Sequence, residues 1–146
     1  MPRVLIAGAT GYLGGFLLAE AKARGYAVRA LTRSERKLAH ARSTKDEVFI
    51  GEVTKPATLE GIARDVDVVI SAIGITRQKD GLRYQDVDYQ GNLNLLKEAI
   101  RSGAKKFVYV SVLHADQMSD LQIVQAKERF VGELRKSGLD YLKIEQ

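Results

Sequence analysis

The stretch that decides the fold is VLIAGATGYLGGFLLAEA, residues 4–21. A short apolar run leads into Gly8, Gly11 and Gly14, which are spaced three apart, and a helix-like sequence follows. A strand, a glycine-rich turn and a helix in this order gather free backbone N–H groups at the positive end of a helix dipole. We therefore predict that this turn binds an anionic group, in particular a pyrophosphate.

The three glycines of this turn are assigned different tasks. Gly8 permits the tight turn, Gly11 lets the phosphates approach, and Gly14 lets the helix pack closely on the strand. The alternative is a turn that needs glycine only for a positive φ angle. The preceding strand and the following helix favour the nucleotide. The residues predicted to surround the pyrophosphate are Gly8, Thr10, Gly11, Tyr12, Leu13 and Gly14.

The rest of the chain repeats the alternation of strand and helix signals. Because the strands are apolar on both faces and separated by helices, we predict a doubly wound α/β domain with a parallel sheet. At this length, residues 1–146 are expected to form a single domain. Strands are predicted over 3–8, 26–33, 47–53, 66–74, 105–113 and 139–144, and helices over 13–25, 35–42, 56–65, 84–102 and 119–137.

The composition excludes several classes of protein. With 45% hydrophobic and 28% charged residues, the chain has the balance of a globular protein, and we expect a cytoplasmic one. No apolar run approaches the length of about 20 residues that a membrane-spanning helix needs, so no membrane association is expected. The absence of cysteine excludes disulfides, thiol catalysis and thiolate ligands, and we expect no metal site.

The net charge of +5 raises the question of nucleic-acid binding. The basic residues are interspersed with acids, as in KDEV (45–48) and KERFVGELRK (127–136), which is typical of a solvated face. The sequence also has no zinc-finger, RNA-recognition or basic-arm pattern. We therefore do not expect a nucleic-acid partner.

The end of the second predicted strand indicates which nucleotide is bound. A site for NAD usually has an acid there, about 20 residues after the glycine motif, that accepts the ribose hydroxyls. This chain instead has LTRSERK at 31–37, with Arg33 placed 19 residues after Gly14. Because a guanidinium pairs with a 2′-phosphate that an acid would repel, NADP is favoured over NAD. The alternative is that Arg33 is an ordinary exposed arginine.

Six segments form a joint pattern over the whole chain: GATGYLGG (8–15), LTR (31–33), GEVT (51–54), SAIG (71–74), DYQGNLNLLKEAIRSGAKKFVYVS (88–111) and KERFVGELRKSGLDY (127–141). Together they resemble the atypical short-chain dehydrogenase/reductases, in their NmrA-like or NAD(P)H-binding branch. The resemblance implies a Rossmann fold with three α/β/α layers, a bound dinucleotide and an oxidoreductase activity.

Carried over by position, the resemblance implies cofactor contacts beyond the glycine turn. Arg33 would hold the 2′-phosphate, and Glu52 would lie near the adenine amino group with Val53 beside it. An exposed acid at a strand end is the alternative for Glu52. Residues near the ribose would be Ala72, Ile73 and Gly74.

The resemblance fails at the catalytic residues, which the sequence does not identify. Members of the superfamily use a Tyr-x-x-x-Lys pair on one face of the helix after the fifth strand. Here Lys127 is preceded four residues earlier by Ile123. Lys127 is then either a contact to the nicotinamide ribose or an exposed helix lysine. The remaining catalytic candidates are Ser111, for which a hydroxyl bonded to backbone is the favoured alternative, and His114, just after the fifth strand.

The sequence also departs from the family after SGLDY, where LKIEQ (142–146) is the last segment. We therefore expect the chain to lack most of the C-terminal substrate region. An exposed sheet edge would then favour self-association or pairing with a missing C-terminal segment.

The leading hypothesis is an NADPH-dependent reductase that passes hydride to a flavin or a quinone, with the basic loop 76–84 as a rim of the acceptor site. The alternatives are a non-catalytic regulatory protein that senses NADP(H) and a structural subunit in which the glycine loop is vestigial.

Overall fold

A computed structural model describes residues 2–9, 12–34, 47–73, 83–111 and 122–145 of the chain. Strands and helices alternate along these ranges, and none of their helices is long and apolar enough to cross a membrane. The strands are β1 (Arg3–Ala7), β2 (Ala27–Thr32), β3 (Glu47–Ile50), β4 (Val68–Ser71), β5 (Lys106–Ser111) and β6 (Asp140–Glu145). The α-helices are α1 (Tyr12–Ala23), α2 (Asn92–Ser102) and α3 (Gln122–Lys136).

The six strands form one parallel sheet in the order β3-β2-β1-β4-β5-β6. The chain runs outward from β1 to β3 and then resumes at β4, on the other side of β1. This reversal places a crevice between the carboxyl ends of β1 and β4, where open α/β sheets bind their ligands. The predicted doubly wound parallel sheet is confirmed.

The sheet separates two apolar layers. On one face Leu5 and Phe107 pack with residues of α2 and α3, including Phe130. On the other face Val4 and Ile6 pack with residues of α1 and β2. Alternate residues of the same strand thus enter opposite cores, which is why the strands are apolar on both faces. The three layers agree with the predicted α/β/α arrangement.

The helix predicted over 56–65 is wrong in its extent. The structure has a short 3₁₀ helix, Pro56–Leu59, followed by turns. Gly61 and Asp65 have φ angles of +79° and +62°, which a right-handed helix does not contain. The Thr58 hydroxyl, which donates to the Glu52 and Lys55 carbonyls, stabilises the turn instead. The predicted helix 35–42 and most of the loop 76–84 lie outside the described residues.

The helix predicted over 84–102 consists of two parts. A π-helix, Gln85–Gly91, leads directly into α2. The helix ends at Gly103, whose φ of +76° is the left-handed cap expected from the sequence. The periodicity of the apolar residues fits an uninterrupted α-helix equally well, and so the wider π turns could not be predicted from it.

We expect the exchange Gly14→Ala to destabilise the protein by about 2–3 kcal/mol, the cost of inserting atoms into a packed contact. A Cβ atom on Gly14 would lie 1.8 Å from the Gly8 carbonyl oxygen, so α1 would have to move away from β1. Urea denaturation measures the change. Gly15→Ala is the matched control, because its added Cβ has no atom within 4 Å, and we expect no loss of stability. Equal stability of the two variants would contradict the contact.

Candidate functional site

The turn after β1 brings three backbone segments together. Gly8 has a φ of +87°, and a Cβ atom there would lie 2.9 Å from the Ala72 carbonyl oxygen just beyond β4. The Ala72 N–H donates to the Ala7 carbonyl at 3.0 Å. Because only glycine combines this φ with so close an approach, Gly8 fixes the crevice between β1 and β4.

The first turn of α1 lies against the same point. Gly14 contacts the Gly8 carbonyl so closely that no side chain would fit, which agrees with the helix packing expected of Gly14. The helix begins at Tyr12, and Leu13 is partly buried beside it. The N-terminus of a 12-residue helix, with its free N–H groups, therefore lies at the end of β1. Thr10 and Gly11 lie outside the described residues.

The segment after β4 is held by Asn92, a buried residue that the sequence analysis did not assign to the site. The Asn92 side chain donates to the carbonyls of Ile73 at 3.3 Å and Asp88 at 2.9 Å, and it accepts from the Ser71 hydroxyl. These bonds fix Ile73 and the neighbouring Ala72 at the edge of the crevice. The sequence signal that could have identified Asn92 is a polar residue on the buried face of the helix predicted over 84–102. Gly74 lies outside the described residues.

The end of β2 places Arg33 at the same edge of the sheet. Leu31 pairs with Ala7 of β1, and Arg33 lies exposed just beyond the strand. The Thr32 hydroxyl donates to the Ser34 carbonyl at 2.7 Å and accepts from the Ser34 N–H at 3.1 Å. The turn that carries Arg33 is therefore fixed by its neighbours, whereas the guanidinium is open to solvent.

The residues after β3 take different positions. The Glu52 carboxylate is partly buried and lies 3.5 Å from the Lys55 ammonium. Val53 is buried, and its carbonyl accepts from the Asn94 side chain at 2.8 Å. Val53 also packs closely on Gly91. A Cβ atom added to Gly91 would lie 2.8 Å from the Val53 Cγ2 atom. Of Glu52 and Val53, Glu52 is therefore the residue whose side chain keeps a polar group near the sheet edge.

Lys127 is not the exposed helix lysine considered as one alternative. Its ammonium lies 2.8 Å from the Asp88 carboxylate, and the two side chains are 12% and 0% exposed. One turn earlier, Ile123 occupies the position of the missing phenol. Of the two catalytic candidates near β5, Ser111 is the last residue of the strand, and His114 lies outside the described residues.

Tyr109 of β5 lies beneath this ion pair. Its ring makes an edge contact with Phe130 at a centroid distance of 4.8 Å, and the Lys127 ammonium lies 5.9 Å from its centre. The hydroxyl is buried and has no hydrogen-bond partner within the described part of the chain. Burial, followed by the negative charges of Asp88 and Glu128, raises the pKa of Tyr109 above its usual range.

The parallel sheet with its reversal at β1 and β4, and the glycine turn at that point, define a Rossmann-type α/β domain. A sequence model of the NAD(P)H-binding family matches residues 8–145, and the chain belongs to this family. The resemblance to the atypical short-chain dehydrogenase/reductases is thereby confirmed.

Curated relatives with similar sequences include the photosystem II assembly factor Ycf39 of Synechocystis, which is 34% identical over 139 residues. That match covers 95% of this chain and 42% of the relative. The chloroplastic divinyl chlorophyllide a 8-vinyl-reductase of Arabidopsis thaliana is 30% identical, and the match covers 90% of this chain and 34% of the relative. The chain thus spans less than half the length of these relatives.

Solved structures share the fold over nearly the whole chain. A Bacillus halodurans protein, provisionally named as an NAD-dependent epimerase/dehydratase, has a TM-score of 0.85 and 25% identity, covering 99% of this chain and 70% of that one. The NADPH-dependent quinone oxidoreductase QOR2 of Escherichia coli, solved with NADPH, has a TM-score of 0.77 and 23% identity, covering 98% and 48%. Both likenesses confirm the Rossmann-type fold.

We expect Tyr109→Phe to stabilise the protein by about 1 kcal/mol, because it removes a buried hydroxyl for which the described residues provide no hydrogen-bond partner. A second effect is expected in alkali. The unfolded phenol loses its proton near pH 10, whereas the folded one keeps it, so the wild type loses stability as pH rises above about 10. Tyr109→Phe removes that contribution.

Thermal unfolding of the Tyr109→Phe variant and the wild type at pH 8 and at pH 10.5 measures both effects. Tyr26→Phe, at an exposed position, is the matched control, and we expect it to follow the wild type at both pH values. A lower midpoint for Tyr109→Phe than for the wild type at pH 8 would show that the hydroxyl has a stabilising partner.

Proposed function

We propose that the chain binds NADP(H) across the carboxyl ends of β1 and β4 and serves an NADPH-dependent reductase that works without a Tyr-x-x-x-Lys pair. The observation that carries this proposal is the junction of left-handed Gly8, the Ala72 backbone and the start of α1 at the point where the strand order reverses. Gly8, Gly14 and Ala72 carry no side chain larger than a methyl group, which supports the proposed approach of a pyrophosphate to the backbone beside the helix N-terminus.

We propose the following contacts between residues of this chain and the parts of the cofactor. Arg33 pairs with the adenosine 2′-phosphate, since it lies exposed at the end of β2, next to β1. The Glu52 carboxylate lies near the adenine with Val53 beside it, and Ala72, Ile73 and Gly74 line the ribose. The pyrophosphate lies against Gly8, Thr10, Gly11, Tyr12, Leu13 and Gly14.

When bound, NADPH supplies a hydride, and the protein supplies binding, orientation and exclusion of competing reactions. A flavin or a quinone is the proposed acceptor, because either takes hydride without a dedicated phenol. The similar plant protein is named as a reductase, which supports this type of chemistry. The basic loop 76–84 is proposed as a rim for an anionic acceptor.

A second candidate is a regulatory protein that binds NADP(H) without turnover. Two observations favour it: Ile123 stands at the phenol position, and the Lys127 ammonium is already paired with Asp88. The similar Synechocystis protein is named as an assembly factor, which supports this candidate.

Titration of the protein with NADPH and NADP⁺, followed by absorbance at the reduced nicotinamide band with flavin and quinone acceptors, tests both candidates. Binding with turnover supports the reductase, and binding alone supports the regulatory protein. Failure of both nucleotides to bind would contradict both. Gly11→Val, which adds a side chain to the proposed pyrophosphate-binding turn, is expected to abolish binding while the circular dichroism spectrum stays that of the wild type.

We expect Arg33→Asp to lower the preference for NADPH over NADH by at least about tenfold, since a charge-assisted hydrogen bond contributes about 1.5–3 kcal/mol. Arg135→Asp is the matched control: it makes the same change in charge at an exposed position on α3, and it should leave the preference unchanged. Dissociation constants for the two nucleotides measure the ratio. An unchanged ratio in Arg33→Asp would show that Arg33 does not select the cofactor.

Three further proposals concern the protein as a whole. Residues 1–146 form a single dinucleotide-binding domain, the protein is cytoplasmic, and the sheet edge at β6 associates with a second copy or with a further C-terminal segment. Within the described ranges β6 is the last strand of the sheet, and its Leu142 and Ile144 are exposed, which supports the last of these proposals.

A further inference from the structure

Three elements meet around the Lys127 ammonium. The lysine extends from α3 to the carboxylate of Asp88 in the π-helix, and it passes over the ring of Tyr109 in β5. Asp88 is fully buried, and an isolated carboxylate in such a place costs far more than a paired one. The burial of Asp88 therefore requires a cation at this point, and Lys127 supplies it.

The ion pair is connected to the wall of the crevice. The backbone carbonyl of Asp88 accepts from the Asn92 side chain, which also donates to the Ile73 carbonyl. Asn92 accepts from the Ser71 hydroxyl at the end of β4 as well. Asp88 therefore contributes its carboxylate to the ion pair and its backbone carbonyl to the hydrogen bonds that fix the crevice wall.

The π-helix is also fastened to α3 on its other side. The Tyr89 hydroxyl donates to Glu133 at 3.1 Å, and the Arg129 guanidinium lies over the Tyr89 ring at 4.0 Å. Arg129 donates in addition to the Gln85 side chain at 3.1 Å. These contacts hold the two elements at a fixed spacing, so the Lys127–Asp88 distance does not depend on the ion pair alone.

We propose that Asp88 is a positioning residue that holds the Lys127 ammonium against β5 and withholds it from the ribose of a bound dinucleotide. In a Tyr-x-x-x-Lys pair the lysine holds the ribose and lowers the pKa of the phenol. Here Ile123 replaces the phenol, and the lysine charge is neutralised by Asp88 instead. The statement about the ribose rests on the proposed function, whereas the statement about the ion pair does not.

Competitive acetylation of the amines with acetic anhydride, read by peptide mass spectrometry on the full chain without nucleotide, tests the ion pair. Lys105, whose side chain is 81% exposed, is the internal reference. We expect Lys127 to react roughly tenfold more slowly than Lys105 in the wild type, the equivalent of about 1.4 kcal/mol. We expect Asp88→Asn to remove most of that protection.

Two further variants separate positioning from a general loss of structure. Asp88→Glu keeps the carboxylate and should retain the protection of Lys127, even where Asp88→Asn folds too poorly to be labelled. Asp140→Asn removes the carboxylate of an exposed ion pair, 73% exposed and 3.9 Å from Lys106, and should leave Lys127 unchanged. Reactivity of Lys127 equal to that of Lys105 in the wild type or in Asp88→Glu would overturn the proposal.

Labelling of the wild type with and without saturating NADPH tests the second statement. If Lys127 stays paired with Asp88, NADPH leaves its reactivity unchanged. A several-fold further protection by NADPH, absent at Lys105, would show that the lysine moves to the cofactor and would overturn this part. If NADPH does not bind at all, the proposed function and this second statement fail, whereas the labelling of the variants still decides on the ion pair.

Discussion

Close contact between three backbone segments is the constraint on which the rest of this structure depends. The start of α1, the turn after β1 and the segment after β4 approach each other at Gly14, Gly8 and Ala72 with no space for a side chain. A larger residue at Gly14 would push α1 away from the turn after β1, and a larger residue at Gly8 would push that turn away from the segment after β4. The same contact places the start of α1, with its free backbone N–H groups, at the end of β1, so packing and the proposed anion binding depend on the same glycines.

The parallel sheet extends this constraint to residues far apart in the chain. β1 pairs with β2 on one side and with β4 on the other, with Ala7 opposite both Leu31 and Ser71. Because all the strands point the same way, the segments that follow them meet at one edge. Arg33 and Ala72 therefore lie on either side of the glycine turn.

The sequence allowed the sheet, its parallel direction and the glycine junction to be predicted, because these follow from alternation and from local spacing. The helix expected over 56–65 was wrong because Gly61 and Asp65 adopt left-handed φ angles, and no simple pattern requires this of an aspartate. The π-helix was missed because its apolar spacing resembles that of an α-helix. The pairing of Lys127 with Asp88 was missed because it depends on how two helical segments pack, which local sequence does not encode.

The ion pair also bears on what the domain does. A phenol that donates a proton benefits from a free ammonium beside it, so the two residues are useful together. With Ile123 in place of the phenol, that benefit is absent, and an unpaired ammonium in this position would only carry the cost of its desolvation. The attraction of the Asp88 carboxylate, 2.8 Å away, offsets that cost. The pairing therefore fits a site with isoleucine at the phenol position, and it is compatible with both proposed functions, the reductase and the regulatory protein.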